Sequence, residues 1–80
     1  MEDRIRSILK AHGRLSVDPE TVPAEADLYS LGLSSHGSVN VMLAIEEEFS
    51  IAFPDEFLKK STFASISAMA RTVRALQDML

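Results

Sequence analysis

Cysteine is absent from the 80 residues, tryptophan is absent too, and histidine occurs only at His12 and His36. Without thiols there is no disulfide, no thiol nucleophile and no Cys-rich zinc cluster. Two imidazoles on separate segments are too few for a metal site. Cations are scarce: 8 Lys plus Arg stand against 12 Asp plus Glu, for a net charge of -4. Nucleic acid is a poor partner for such a chain, because phosphate binding wants clustered cations, and basic proteins suit it better. No apolar run approaches the roughly 20 residues of a membrane span. The opening Met1-Glu2-Asp3-Arg4 lacks the basic start and apolar stretch of a signal peptide. A cytoplasmic protein with no membrane contact is expected. Eighty residues suit one domain, 1–80, with a small core. At 46% hydrophobic residues, the chain is expected to fold.

Helical spacing is what the sequence does have. In "MEDRIRSILKAHG", Ile5, Ile8 and Leu9 recur at i, i+3, i+4 with His12 closing the stripe, and Gly13 reads as the stop. A connection from Arg14 to Ser34 follows, with Leu15, Val17, Val22, Leu28, Leu31 and Leu33 as anchors to a core. Within it, "ADLYSLGL" suits a short helical turn, with Gly32 changing the direction of the chain. A second helix is expected from Ser34 or Ser35 to about Ser50. Val39, Met42, Ile45 and Phe49 form its core stripe, with Leu43 on the edge or outer face. Pro54 ends the next stretch, and Asp55 to Lys60 reads as a short helix with Phe57 and Leu58 facing in. Ser61 or Thr62 would cap a last helix in which Ile66, Met69, Ala70, Val73, Leu76 and Met79 or Leu80 recur, with Arg71 and Arg74 outside. No segment alternates as a strand does. The expected fold is all-α: three main helices and a short one in a bundle, with a long first loop.

This pattern leaves little room for catalysis. Ser35 and His36 are neighbours in sequence, but adjacent residues on a helix diverge by about 100° and cannot act as nucleophile and base. A bundle this small also has little volume to enclose a substrate. The chain is therefore read as a non-enzyme. Two serines at the mouth of a helix can divide their roles. One accepts a hydrogen bond from a free backbone amide, as serine caps do. The other is left exposed at the positive end of the helix, a place suited to an anionic phosphodiester.

The stretch "DLYSLGLSSHGSVNVMLAIEEEF" resembles the acyl carrier proteins. That family's pattern is an acidic-apolar lead-in, Gly-Leu, then Asp-Ser-Leu, then an amphipathic helix ending Glu-Glu-Phe. Here "GLSSH" stands where the pattern has "GLDSL", which puts the family's serine at Ser35. The resemblance implies an acyl-carrier-like four-helix bundle and 4'-phosphopantetheine on Ser35, placed there by a phosphopantetheinyl transferase. With no cysteine in the chain, a thioester would be borne by the thiol of that cofactor.

Ser34 replaces the usual Asp, and His36 the usual Leu. Gly37 and Asn40 stand where carriers of fatty acid synthesis often hold acids. A second helix acidic only at Glu46 to Glu48 should dock poorly on basic enzyme patches, while that acidic run could itself attract a basic partner. The "GLSS" variant, the length and "EEEFSIAFPDEF" look most like the small aminoacyl carrier proteins. The resemblance then implies a cargo of glycine or alanine, loaded by a class II seryl-tRNA-synthetase-like amino acid:carrier protein ligase. The acceptor enzyme downstream is unknown, and the chain is expected to be a monomer. The alternatives are a discrete peptidyl carrier of a nonribosomal peptide pathway or a specialised acyl carrier of polyketide or lipid synthesis. Ser34, His36, Val39, Asn40 and Leu43 are the expected partner contacts, Val39 and Leu43 foremost as apolar anchors. Gly37 would let a partner backbone come close, and a Met-rich core of Met42, Met69 and Met79 could open a cavity for a longer chain.

Overall fold

Ile5 and Leu9 are fully buried and Ile8 nearly so, which makes the first apolar stripe the seed of the core. The computed structural model describes residues 1–79, so Leu80 lies outside the described residues. Three α-helices carry the fold: α1 over Glu2–Ile8, α2 over Ser35–Phe49 and α3 over Ile66–Asp78. No strand occurs among the described residues, and no helix is long and apolar enough to cross a membrane.

α1 runs straight into a π-helical stretch, Leu9–Gly13. The i→i+5 bonding adds a residue to the turn. Gly13, rather than His12, therefore follows Ile8 and Leu9 inward, and His12 is exposed. The chain reverses one residue later than expected, at Arg14, which takes the left-handed conformation with φ 52°.

The connection from Arg14 to Ser34 is pinned at both ends. The Arg6 guanidinium donates to the carbonyls of Pro19 at 2.7 Å and Val22 at 2.6 Å. The Leu28 amide donates to Ala64 at 2.8 Å, and the Ser67 amide to Ala24 at 2.9 Å. Val22, Leu28 and Leu33 are buried and Leu15 and Leu31 half-buried, as anchors should be, but Val17 is exposed. The turn expected in "ADLYSLGL" is a single 3-10 turn, Tyr29–Leu31, closed by Gly32 at φ 105°. A side chain there would be strained, and its Cβ would sit 3.3 Å from the Ser16 amide nitrogen.

α2 starts because Ser34, in extended conformation, accepts from the Gly37 amide at 2.9 Å. Its buried stripe is Gly37, Val41, Ile45 and Phe49. Val39 is not core, contrary to expectation, but 50% exposed, and Met42 is half-buried. At 3.6 residues per turn, Val39 points roughly 140° from the middle of that stripe and Met42 roughly 80°. Gly37 also has an internal role. A Cβ there would lie 3.3 Å from the Gly13 carbonyl oxygen, so glycine lets the start of α2 close onto the end of the first helical segment.

After Ser50, left-handed at φ 55°, the expected short helix is two 3-10 turns, Asp55–Phe57 and Lys60–Phe63. Phe57 is half-buried, but Leu58 lies past the first turn at φ -86°, ψ 67° and is 47% exposed. α3 is capped not by Ser61 or Thr62 but by Ser65, whose hydroxyl accepts from Ala68 at 3.0 Å. Ile66, Met69, Ala70, Val73 and Leu76 are buried as expected, Arg71 and Arg74 are outside, and Met79 is exposed.

Of the two serine hydroxyls, only that of Ser34 bonds to the backbone among the described residues. Ser34→Ala is expected to cost about 1 kcal/mol, read as a fall of about 4–8 °C in thermal midpoint for a domain of this size. Ser35→Ala should stay within about 0.5 kcal/mol of the parent, as surface substitutions do. Equal losses from the two would contradict the assignment of the cap.

Candidate functional site

Ser35 is the first residue of α2 and is exposed. Its carbonyl accepts from the Ser38 hydroxyl at 2.8 Å, but its own hydroxyl takes part in no hydrogen bond among the described residues. It does not bond to His36, which is also exposed, so the two form no nucleophile–base pair. The Gly37 amide is satisfied by Ser34, whereas the amides of Ser35 and His36 have no protein partner among the described residues. A free hydroxyl beside free amides, at the positive end of a 15-residue helix, fits an esterified phosphate. Among the described residues no three of His, Cys, Asp and Glu come together at metal-ligand spacing.

The residues predicted for this site divide into three groups. Ser34 is engaged as the cap. His36, Val39, Asn40 and Leu43 stand at i, i+3, i+4, i+7 and share one face of α2. Leu43 and Val39 are about half exposed, at 53% and 50%. Ser35 and Val39 also line a groove of about 390 Å³ between α2 and the chain leading to α3. Met42 lies on its α2 side, Tyr29 comes from the first connection, and Leu58 and Phe63 stand opposite.

Small size argues against an enclosed pocket, and the one cavity expected was in a Met-rich core. Of those residues only Met42 lines this groove, Met69 being fully buried and Met79 exposed. Leu58 was placed in the core with Phe57, whereas the end of the 3-10 turn puts it on the groove. Lys59 and Lys60, which edge the groove, are the only adjacent pair of cations in an acidic chain. That pair was the available signal. Burial pushes the Tyr29 phenol above its usual range, with Ser38 opposing and the Asp27 charge adding to the rise.

The acidic run at the far end of α2 is largely engaged inside the molecule. The Glu46 carboxylate accepts from the Phe53 amide at 2.8 Å. Glu48 accepts from Arg4 Nε at 2.7 Å, and the guanidinium lies 4.5 Å from the Phe49 ring centroid. Among the described residues Glu47 is the one carboxylate of the three with no partner, so the run is a weak lure for a basic partner.

Residues 3–73 match the family model described as a phosphopantetheine attachment site. The chain is 49% identical over 78 residues to an aminoacyl carrier protein of Agrobacterium fabrum, covering 98% of this chain and 94% of that one. It superposes with a TM-score of 0.90 on the carrier protein from Agrobacterium tumefaciens crystallised with an engineered Bradyrhizobium japonicum glycine:[carrier protein] ligase and AMP. That likeness is 50% identical and covers 92% of this chain and 99% of the other. A holo acyl carrier protein from Nitrosomonas europaea superposes with a TM-score of 0.84 at 26% identity, over 96% of this chain and 95% of that one. With an unengaged serine at the mouth of α2 and a match over nearly its whole length, the chain belongs to the phosphopantetheine attachment-site family, whose cofactor is 4'-phosphopantetheine.

Proposed function

We propose that Ser35 carries the phosphopantetheine, installed by a phosphopantetheinyl transferase, and that the chain holds a small amino acid, glycine or alanine, as a thioester. The ligase that loads it is an amino acid:carrier protein ligase resembling the class II seryl-tRNA synthetase core. The observation that carries this reading is the 50% identity, at a TM-score of 0.90, to a carrier protein seated on a glycine:[carrier protein] ligase. When bound, the cofactor supplies the thiol that this cysteine-free chain lacks. The protein's own part is presentation. Ser34 fixes the helix start, Ser35 offers its hydroxyl, and the amides of Ser35 and His36 favour the phosphate charge. Tethering raises the effective concentration of the cargo at a partner's active site.

The face made by His36, Val39, Asn40 and Leu43, with Ser34 beside the attachment point, is the proposed partner contact. It bears no carboxylate, so docking rests on Val39 and Leu43 rather than on ion pairs. The chain acts as a single domain, 1–80, and as a monomer in the cytoplasm. The two 3-10 turns between α2 and α3 stand in for the short helix of a four-helix carrier bundle, behind a long first loop. The groove beside Ser35 favours a second reading, a peptidyl or specialised acyl carrier, because an apolar recess suits a longer chain.

Charging separates the two. The pantetheinylated protein, given ATP, glycine and the ligase, is expected to gain the mass of one glycyl group, released by neutral hydroxylamine as a thioester would be. Refusal of every small amino acid, alongside ready loading of acyl chains, would favour the second reading. Docking to the ligase is expected to weaken less than about threefold on going from low to physiological salt, since few charges are there to screen. Leu43→Ala should weaken it about tenfold without loss of stability. Isothermal titration of the holo protein measures both, and a steep salt dependence would instead assign docking to the acids.

A further inference from the structure

The groove beside Ser35 is apolar along its floor and cationic along its rim. Met42 and Phe63 lie within it, Val39 and Leu58 form its edges, and Lys59 and Lys60 stand at its margin. Among the described residues no carboxylate lines it. The Lys60 ammonium is held in position. Its Nζ lies 4.8 Å from the centroid of the Tyr29 ring, and the Tyr29 hydroxyl donates to the Lys60 carbonyl at 2.9 Å. Tyr29 is fixed in turn by its amide, which donates to Asp27 at 3.0 Å. Burial raises the phenol's pKa, so the ring stays uncharged at neutral pH and offers no tyrosinate to offset the lysines.

A cation entering this groove would meet no carboxylate among the lining residues. The nearby Asp27 carboxylate is engaged by the Tyr29 amide and the Ser30 hydroxyl, and the single phosphate charge borne on Ser35 is set against two lysines. Burying an unpaired charge is costly, and two ammonium groups at the rim add like-charge repulsion. An aromatic ring can receive a cation, but Lys60 already takes that role at Tyr29, and Phe63 is packed against Phe53 with ring centroids 5.5 Å apart. An uncharged group of the same size meets none of these penalties and gains apolar contact.

The geometry points to selection of cargo by charge: the groove admits an uncharged acyl group and turns away the α-ammonium of an aminoacyl group, with Lys59 and Lys60 as the residues that discriminate. This rests on the reading that Ser35 bears the arm. A glycyl cargo then stays in solvent at the outer end of the arm, open to the acceptor enzyme, while a neutral acyl group folds back beside α2. The difference lies in presentation and does not depend on the ligase.

Propionyl and glycyl groups are near-isosteres that differ in charge, and they test this directly. Each is attached through a stable amide to the arm of a coenzyme A analogue, and the transferase loads it onto 15N-labelled protein. Intact mass first establishes that the arm is on the chain; no gain in mass would defeat the carrier reading itself. With the arm attached, propionyl is expected to move the amide resonances of Val39, Met42 and Phe63 away from their positions with the bare arm. Glycyl is expected to leave them in place. In the Lys59→Glu/Lys60→Glu protein, glycyl should now move the same resonances. Equal shifts from the two groups in the parent protein, or no shift from either, would overturn charge selection while leaving the carrier reading intact. So would a double variant that keeps its native spectrum and still shows no glycyl shift.

Discussion

The hydrogen bond from the Gly37 amide to the Ser34 hydroxyl is the contact on which the site depends. It stops the extended chain at Ser34, starts α2 at Ser35, and removes one of the two serines from any other role. Gly37 makes the geometry possible a second way: a Cβ at that position would crowd the Ser34 hydroxyl at 3.2 Å and the Gly13 carbonyl at 3.3 Å. The cap, the glycine and the π-helical end of the first segment therefore form one packed corner. Beside it, the Ser35 hydroxyl takes part in no hydrogen bond among the described residues. Aspartate, usual at position 34 in the family pattern, caps a helix about as well as serine. Serine keeps the cap and drops the charge.

Loss of charge recurs along α2. From Ser35 to Ile45 the helix has no acid, and two of the three that follow are bound within the molecule, Glu46 to the Phe53 amide and Glu48 to Arg4. These carboxylates hold the end of α2 to the chain after it and to α1. Electrostatic complementarity mainly sets encounter rate and register. If the proposed contact face serves recognition, it does so without acids, giving up that steering for fit at Val39 and Leu43. Two of the chain's three lysines, Lys59 and Lys60, lie elsewhere, at the groove beside Ser35.

Much of this was legible in the residues. The i, i+3, i+4 spacing of Ile5, Ile8 and Leu9, the turn at Gly32 and the paired serines each carry a local signal strong enough to survive folding. What stayed hidden depended on contacts between distant segments. Three hydroxyl residues, Ser61, Thr62 and Ser65, could each cap α3. The choice of Ser65 goes with the burial of Thr62 and with the Ala64 carbonyl's bond to Leu28, a pairing no window of sequence contains. Val39 was read inward because apolar residues crowd α2 on several sides. The packing of Gly37 against Gly13, with Val41, Ile45 and Phe49 buried on the same side, sets which face meets the core. The groove was invisible because its walls come from three separate stretches of chain.

The central claim is that one serine is committed to the backbone and its neighbour is left free for covalent attachment. The most direct measurement is fragment-ion mass spectrometry of the protein after the transferase has loaded it from coenzyme A. The account predicts that the pantetheine mass lies on Ser35 alone. The same mass on Ser34 or Ser38 would contradict it.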